Sequence, residues 1–331
     1  MEDFARLNLI GAARLFLDAL ALIRKFASSG ATVLIQGETG TGKELAARAV
    51  HYLGARRDCP FVPINCGGLP ENLIESEFFG HARGAFTDAR EPKQGLIAQA
   101  RGGTLFLDEV EALPPRAQVA LLRFLQDKEY RPIGGRIIEN ADVRVIGATN
   151  ADLGLLVKRG QFRSDLLFRL DVLPLHLPAL REREGDVTVL AESFLNRLNR
   201  QSNEPPRALH PTTISILNAY SWPGNVRELE NLIQREFVLA SGNSGNELMC
   251  ISIVHDKLAA THSSLDCTAG DEAFNVAKAR AVAQFEKAYL VALLSKTAGN
   301  LSWAARISGK DRSDIGRLLR KYGLERRQFS H

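Results

Sequence analysis

Seven consecutive residues, Gly37-Glu-Thr-Gly-Thr-Gly-Lys43, set glycines and a lysine at the spacing GxxxxGK. Glycines let a backbone turn its N–H groups inward, and such a cradle at the start of a helix binds phosphate. Lys43 then reaches the β- and γ-phosphates of a nucleotide. The hydroxyl residue that usually follows the lysine as a Mg²⁺ ligand is replaced by Glu44. Taken alone, the stretch also reads as a glycine-rich turn without a ligand. Downstream, Leu105-Phe-Leu-Asp108-Glu109 is an apolar run ending in two carboxylates. That pattern suits Asp108 to hold Mg²⁺, directly or through water, and Glu109 to polarise an attacking water. The alternative is a pair of acids capping a strand.

The elements that position these residues follow from hydrophobic periodicity. Thr32–Gln36, Phe61–Ile64, Thr104–Leu107 and Val143–Ile146 read as buried strands, with helical patterns between them at Glu44–Leu53 and Arg116–Gln126. Strand–helix alternation of this kind predicts an α/β fold, a parallel sheet covered on both faces. After about Leu173 the strands are expected to stop. Asp186–Asn199, Thr212–Tyr220 and Asn225–Leu239 then read as a small helical subdomain. Ser241-Gly-Asn-Ser-Gly-Asn246 has linker composition, and helical periodicity returns from Val276.

With these elements in place, the chain resembles the bacterial enhancer-binding proteins, the AAA+ activators of sigma-54 RNA polymerase. The matching motifs are Gly37–Glu44, Gly102-Gly-Thr-Leu-Phe-Leu-Asp-Glu109, Phe162-Arg-Ser-Asp-Leu-Leu-Phe-Arg-Leu170, Pro178-Ala-Leu-Arg-Glu-Arg183 and Trp222-Pro-Gly-Asn-Val-Arg-Glu-Leu229. The resemblance implies an ATPase using ATP and Mg²⁺, and it makes Glu44 an ordinary residue at its position. It assigns nucleotide binding to Gly37, Glu38, Thr39, Gly40, Thr41, Gly42, Lys43, Glu44 and the lid arginine Arg227. Asn150 matches the sensor of the γ-phosphate. Asn65 matches the residue that restrains the catalytic Glu109, and Arg163 and Arg169 match arginine fingers. The family supplies such fingers from a neighbouring subunit, which implies a ring, a hexamer. The expected organisation is an AAA+ α/β subdomain at 1–172, a helical lid at 173–240, a linker at 241–275 and a Fis-type helix-turn-helix domain at 276–331.

One loop departs from the family. Where its members read Gly-Ala-Phe-Thr-Gly-Ala at the contact with sigma-54, this chain reads Gly84, Ala85, Phe86, Thr87, Asp88, Ala89. Aspartate adopts positive φ less readily than glycine and adds negative charge to a tip that must dock. Aspartate is also well tolerated in turns. The leading expectation is a remodeller of the sigma-54 RNA polymerase holoenzyme; the alternative is a DNA-binding AAA+ regulator that acts without sigma-54. A general AAA+ remodelling enzyme with a basic assembly tail is a third reading.

Charge supports a polyanion partner for the tail. Residues 273–331 hold twelve Lys or Arg against four acidic residues, a net +8, within a chain of net charge +4. A solvated basic surface would have the same composition. Ser302 is placed to cap a short helix through Ile307. Gly309 makes a turn, and a second helix runs from Asp311 or Arg312 to Tyr322 with Ile315, Leu318 and Leu319 inward. This is helix-turn-helix spacing. Arg306, Lys310, Arg320 and Lys321 suit phosphate contacts on double-stranded DNA, while Arg312, Ser313 and Arg317 suit base reading in a dimer on an upstream activating sequence. A basic helical hairpin used for oligomerisation remains the alternative. Cys59, Cys66, Cys250 and Cys267 form no CxxC pair and read as free thiols. No apolar run reaches the length of a membrane span, and the expected location is the cytoplasm. The phosphate loop begins too early to follow a receiver domain, so control by a regulator in trans is expected.

Overall fold

The computed structural model describes residues 2–70, 73–86, 89–202, 205–240, 301–308 and 312–322, with Glu286, Leu290, Leu293, Leu294 and Thr297. The chain divides into two units, Met1–His255 and Asp256–His331. The expected linker at 241–275, Thr87, Asp88, Gly309, Lys310, Asp311, Cys250 and Cys267 lie outside the described residues, as do the side chains of Ser302, Arg312 and Arg320.

Among its described residues the first unit has nine strands: β1 (Val33–Gln36), β2 (Phe61–Asn65), β3 (Gly80–His81), β4 (Lys93–Gln94), β5 (Thr104–Asp108), β6 (Glu129–Tyr130), β7 (Glu139–Asn140), β8 (Arg144–Thr149) and β9 (Leu173–His176). Five of them form a parallel sheet in the order β2-β5-β8-β1-β9. Its inner strands β1, β5 and β8 are mostly apolar and buried along nearly their whole length because both faces are covered. Leu34, Leu105 and Leu107 point into one core, while their neighbours Val33, Ile35 and Phe106 point into the other. The helices supply the covering layers. Around the sheet run α1 (Glu2–Arg6), α2 (Arg14–Ala27), α3 (Lys43–Tyr52), α4 (Ile74–Phe79), α5 (Leu96–Gln99), α6 (Pro115–Asp127), α7 (Leu153–Lys158) and α8 (Ser164–Leu170). Phe16, Ile23, Ala46 and Val50 of α2 and α3 fill one core; Phe78, Leu121, Phe124 and Leu166 of α4, α6 and α8 fill the other.

The strands do not stop at Leu173. Leu173–His176 forms β9, paired in parallel with β1. Proline at 174 hides it in the sequence, since a proline argues against an interior strand. β9 is the edge of the sheet, where a missing donor is tolerated. Three helices follow as expected: α9 (Asp186–Gln201), α10 (Pro211–Ala219) and α11 (Asn225–Leu239). Val187, Leu190 and Phe194 of α9 and Leu229, Leu232 and Ile233 of α11 are buried where the two helices pack.

Two small antiparallel ribbons, β3 with β4 and β6 with β7, stand off the main sheet. They are joined by a bridge between His81 and Ile133. In the second unit, α12 (Leu301–Ser308) and α13 (Arg312–Tyr322) pack with Leu290, Leu293 and Leu294 around Ala304, Ile315 and Leu319. Leu318 packs partly buried against the same cluster. Ser302 lies inside α12, which starts at Leu301, so it does not cap that helix. Among the described residues no helix is long and apolar enough to cross a membrane.

Candidate nucleotide site

The carboxyl ends of parallel strands are where open α/β sheets bind ligands, and the predicted residues gather there. Gly37 follows β1, Asp108 ends β5, Asn150 follows β8 and Asn65 ends β2, paired in register with Asp108. The loop from Gly37 to Gly42 turns through φ of +80° at Gly40 and +98° at Gly42, values that favour glycine. A Cβ at Gly40 would also collide with the carbonyl oxygen of Gly224 in the lid. The loop hands the chain to α3, whose free N–H groups and Lys43 face the same opening. Thr41 Oγ1 donates to Glu38 O at 2.8 Å, and Lys43 Nζ donates to Gly37 O at 2.8 Å and Glu38 O at 3.1 Å. Glu44 pairs with Arg48 one turn along α3.

A cleft of about 270 Å³ is lined by Lys43, Asn65, Asp108, Glu109, Asn150 and Arg227, among others. Burial pushes the Lys43 ammonium below its usual pKa, and the nearby Asp108 carboxylate opposes the shift. Burial likewise pushes Asp108 up, against the pull of Lys43. Each therefore steadies the charge of the other. Asp108 accepts from the Glu109 backbone N–H at 3.0 Å. Glu109 sits in the left-handed region at φ 56°, ψ 51°, which costs a non-glycine residue roughly 1–3 kcal/mol. That turn lays its carboxylate against Gly67, where an added Cβ would collide with Oε2 and push the carboxylate aside. Asn65 shares this wall, but its Oδ1 accepts from Gly68 N at 2.9 Å and no hydrogen bond joins it to Glu109. Asn150 Nδ2 donates to Thr39 Oγ1 at 3.2 Å, and its backbone N–H reaches Glu111 Oε1 at 3.3 Å.

Sequence reasoning missed Glu111, and it missed the contacts between loop and lid. The Glu38 carboxylate, expected at the nucleotide, is gripped by Arg181 at 2.8 and 2.5 Å and by Asn225 Nδ2 at 3.1 Å. The hydrogen bond from Arg181 and then that from Asn225 hold its pKa down at about 2. Arg181 and Asn225 stand inside motifs already quoted, but nothing in their spacing reveals the partner.

The remaining predicted residues lie elsewhere. Arg163 is bonded to Asp165 at 3.0 and 2.8 Å, Arg169 is exposed, and neither lines the cleft of its own chain. Gly84 N donates to Ala89 O at 2.8 Å and Ala89 N to Phe86 O at 3.0 Å, closing a loop with Phe86 40% exposed at its side. Ala82 N bonds Ile133 O at 2.9 Å and Gly134 packs on Ala85, so this loop rests on the one between β6 and β7. In the second unit Arg306, Ser313 and Arg317 are exposed. Arg317 pairs with Asp314, and Lys321 pairs with Glu286 at 3.1 Å. Arg312 and Arg320 lie on α13.

The residues suit the groups a phosphate loop implies. Mg²⁺ is a hard cation that takes oxygen ligands, and Asp108 offers a half-buried carboxylate beside Lys43. A triphosphate suits a glycine cradle whose lysine, Lys43, donates to the backbone carbonyls of Gly37 and Glu38.

A parallel sheet bearing this cradle, with a three-helix lid bonded to it, is an AAA+ P-loop ATPase. Residues 9–176 match the family model described as the Sigma-54 interaction domain, and residues 181–263 match the AAA+ ATPase lid domain. The chain belongs to the sigma-54 interaction domain family of transcriptional regulators. It is 42% identical over 305 residues to the alginate biosynthesis transcriptional regulatory protein AlgB of Pseudomonas aeruginosa, covering 92% of this chain and 65% of that one. It is 41% identical over 305 residues to the regulatory protein AtoC of Escherichia coli, covering 91% and 64%. The chain thus spans slightly under two thirds of either relative. Among solved structures, NtrX from Brucella abortus in complex with ATP superposes with a TM-score of 0.69 at 32% identity, over 95% of this chain and 69% of that one.

Proposed function

We propose that this chain binds upstream double-stranded DNA and uses ATP hydrolysis in a ring, a hexamer, to remodel sigma-54 RNA polymerase holoenzyme to the open complex. The observation that carries this reading is that one cleft is lined by Lys43, Asn65, Asp108, Glu109, Asn150 and Arg227 together, with Arg163 and Arg169 outside it. NtrX was crystallised with ATP, and the same ligand is assigned here.

The backbone N–H groups of Gly37 to Gly42 receive the phosphates. Lys43 exchanges its two carbonyl partners for the β- and γ-phosphates. Asp108 would hold Mg²⁺, which would neutralise charge on the phosphates. Glu109 orients the attacking water and Asn65 restrains it; Asn150 reads the γ-phosphate through the Thr39 side of the loop. Arg227 closes from the lid. Arg163 and Arg169 complete the neighbour's site, where such guanidinium groups accelerate phosphoryl transfer by about 10³–10⁵. Phe168, 79% exposed between them, suits a face that meets another subunit. The loop from Gly84 to Ala89 carries the nucleotide state to sigma-54. In the C-terminal domain a dimer sets Arg306, Lys310, Arg320 and Lys321 on phosphates and Arg312, Ser313 and Arg317 on bases. The protein works in the cytoplasm.

Transcription in vitro with purified sigma-54 polymerase tests the reading. Open complexes are expected with hydrolysable ATP and not with a non-hydrolysable analogue; their absence in both arms overturns it. Asp88 favours a second reading, regulation without sigma-54. Recovery of open complexes only in Asp88→Gly, with the natural chain still binding its DNA, would select that reading.

A further inference from the structure

Glu38 is an odd residue for a phosphate cradle. A carboxylate beside a triphosphate repels it, because like charges at close range raise each other's energy even in water. The structure turns this carboxylate away from the cleft, which Glu38 does not line. Arg181 binds it through both terminal nitrogens, Nη1 to Oε2 at 2.8 Å and Nη2 to Oε1 at 2.5 Å. This fork-on-fork geometry fixes direction as well as charge. Asn225 adds a third bond to Oε2 at 3.1 Å. Asn225 is itself fully buried in the left-handed region at φ 52°. Its Oδ1 accepts from Leu180 N at 2.8 Å and its Nδ2 also donates to Thr39 O at 3.0 Å. Two residues later, Arg227 N donates to Gly40 O at 3.3 Å.

Three successive residues of the phosphate loop are therefore tied to the lid: Glu38 by its side chain, Thr39 and Gly40 by their carbonyls. The lid ties converge on the turn at Leu180–Glu182 and on the first turn of α11, which carries Arg227. We propose that Glu38 and Arg181 form a positioning pair that neutralises the loop's own carboxylate and holds Arg227 over the cleft, setting the affinity for ATP rather than the rate of its hydrolysis. This rests on the nucleotide-site reading above. Both side chains are close to half exposed, 45% for Arg181 and 43% for Glu38, so salt screens the pair.

The two partners have unequal effects. Arg181→Ala leaves a bare carboxylate beside the phosphates, whereas Glu38→Gln removes the charge and keeps a hydrogen-bonding amide. Steady-state ATPase assays on the full chain at low salt are expected to give Arg181→Ala a KM for ATP raised about fivefold, and Glu38→Gln about threefold, with kcat within about twofold of wild type, the scale of an exposed charged pair. Adding Glu38→Gln to Arg181→Ala restores KM to that of Glu38→Gln alone, an outcome that a purely structural role does not produce. The wild-type KM rises with salt more steeply than that of Glu38→Gln. Unfolding followed by circular dichroism reports whether Arg181→Ala is folded; if it is not, Glu38→Gln and the salt series carry the test. Lys43→Ala separates the two ideas. Normal ATP binding by Lys43→Ala overturns the nucleotide site itself. Loss of binding there, together with an unchanged KM and salt dependence in Glu38→Gln, overturns the positioning pair alone.

Discussion

Replacing Asp186 by alanine tests how the chain's beginning is fastened to its lid. The Arg183–Asp186 pair is almost wholly buried, with side chains 2% and 0% exposed and Nε 2.8 Å from Oδ2. The other carboxylate oxygen accepts from the backbone N–H groups of Ala12 at 2.6 Å and Ala13 at 2.9 Å. These lie at the start of α2, whose N-cap residue Ala13 has no side chain to cap it. A residue more than 170 positions away thus supplies the cap, and its negative charge suits a helix N-terminus. Arg183 in turn donates to Ile10 O at 2.7 Å and stacks 3.6 Å above the Phe16 ring. Burial pulls its pKa down and Asp186 pulls it back up. Asp186→Ala strands a buried guanidinium, a loss of about 3–5 kcal/mol, and removes a cap, about 1 kcal/mol more. A total of about 4–6 kcal/mol lowers Tm by roughly 8–24 °C in a unit of this size. Arg183→Met with Asp186→Leu removes both charges and is expected to lose less than Asp186→Ala alone, because no charge is left unpaired. Urea titration and thermal unfolding of the full chain measure both variants against the wild type. A loss under about 1 kcal/mol for Asp186→Ala, or a double variant no more stable than Asp186→Ala, would refute the reasoning.

The chemistry makes further predictions. Lys43→Ala is expected to abolish binding of a fluorescent ATP analogue, while Glu109→Gln binds it and turns over at least a hundredfold more slowly, the scale of a lost general base; near-normal turnover in Glu109→Gln rules out its role. Arg163→Ala and Arg169→Ala are each inactive alone but gain ATPase activity when mixed with Lys43→Ala, since a ring then pairs an intact cradle with intact arginines; no gain on mixing places the arginines in cis. Burial, then the charges of Asp108, Glu111 and Glu109, pushes the Cys66 thiol up to about 12 from an ordinary 9.0. The folded thiol keeps its proton while the unfolded one loses it, so this contribution to stability is complete below about pH 9 and is lost as pH rises toward 12. Alkylation at pH 8.5 with peptide mapping is expected to label exposed Cys59 and spare Cys66; equal labelling in the native protein contradicts the burial.

What could be read without the structure was what short sequence spacing determines. β1, β5 and β8 announce themselves because a doubly covered parallel strand is apolar at successive rather than alternate positions, and the cradle does so because its glycines and its lysine lie within seven residues. β9 did not, because its identity depends on lying at the edge beside β1, where Pro174 is harmless. The same division runs through the site. Asp108 and Glu109 share one strand end, so their joint chemistry is local. Glu38 meets Arg181 across 143 residues and Asn225 across 187, and a polar side chain carries no mark of which distant loop will face it. Glu38 therefore read as one more nucleotide contact until the lid was placed. The distinction is physical: periodicity encodes what a segment buries, whereas ion pairs between loops arise only after two buried surfaces have chosen their orientation. Residues that couple subdomains are for that reason the ones a motif leaves unassigned, and in this chain they lie within its motifs, at Glu38, Arg181, Asn225, Arg183 and Gly40, where local reading stops at the phosphate.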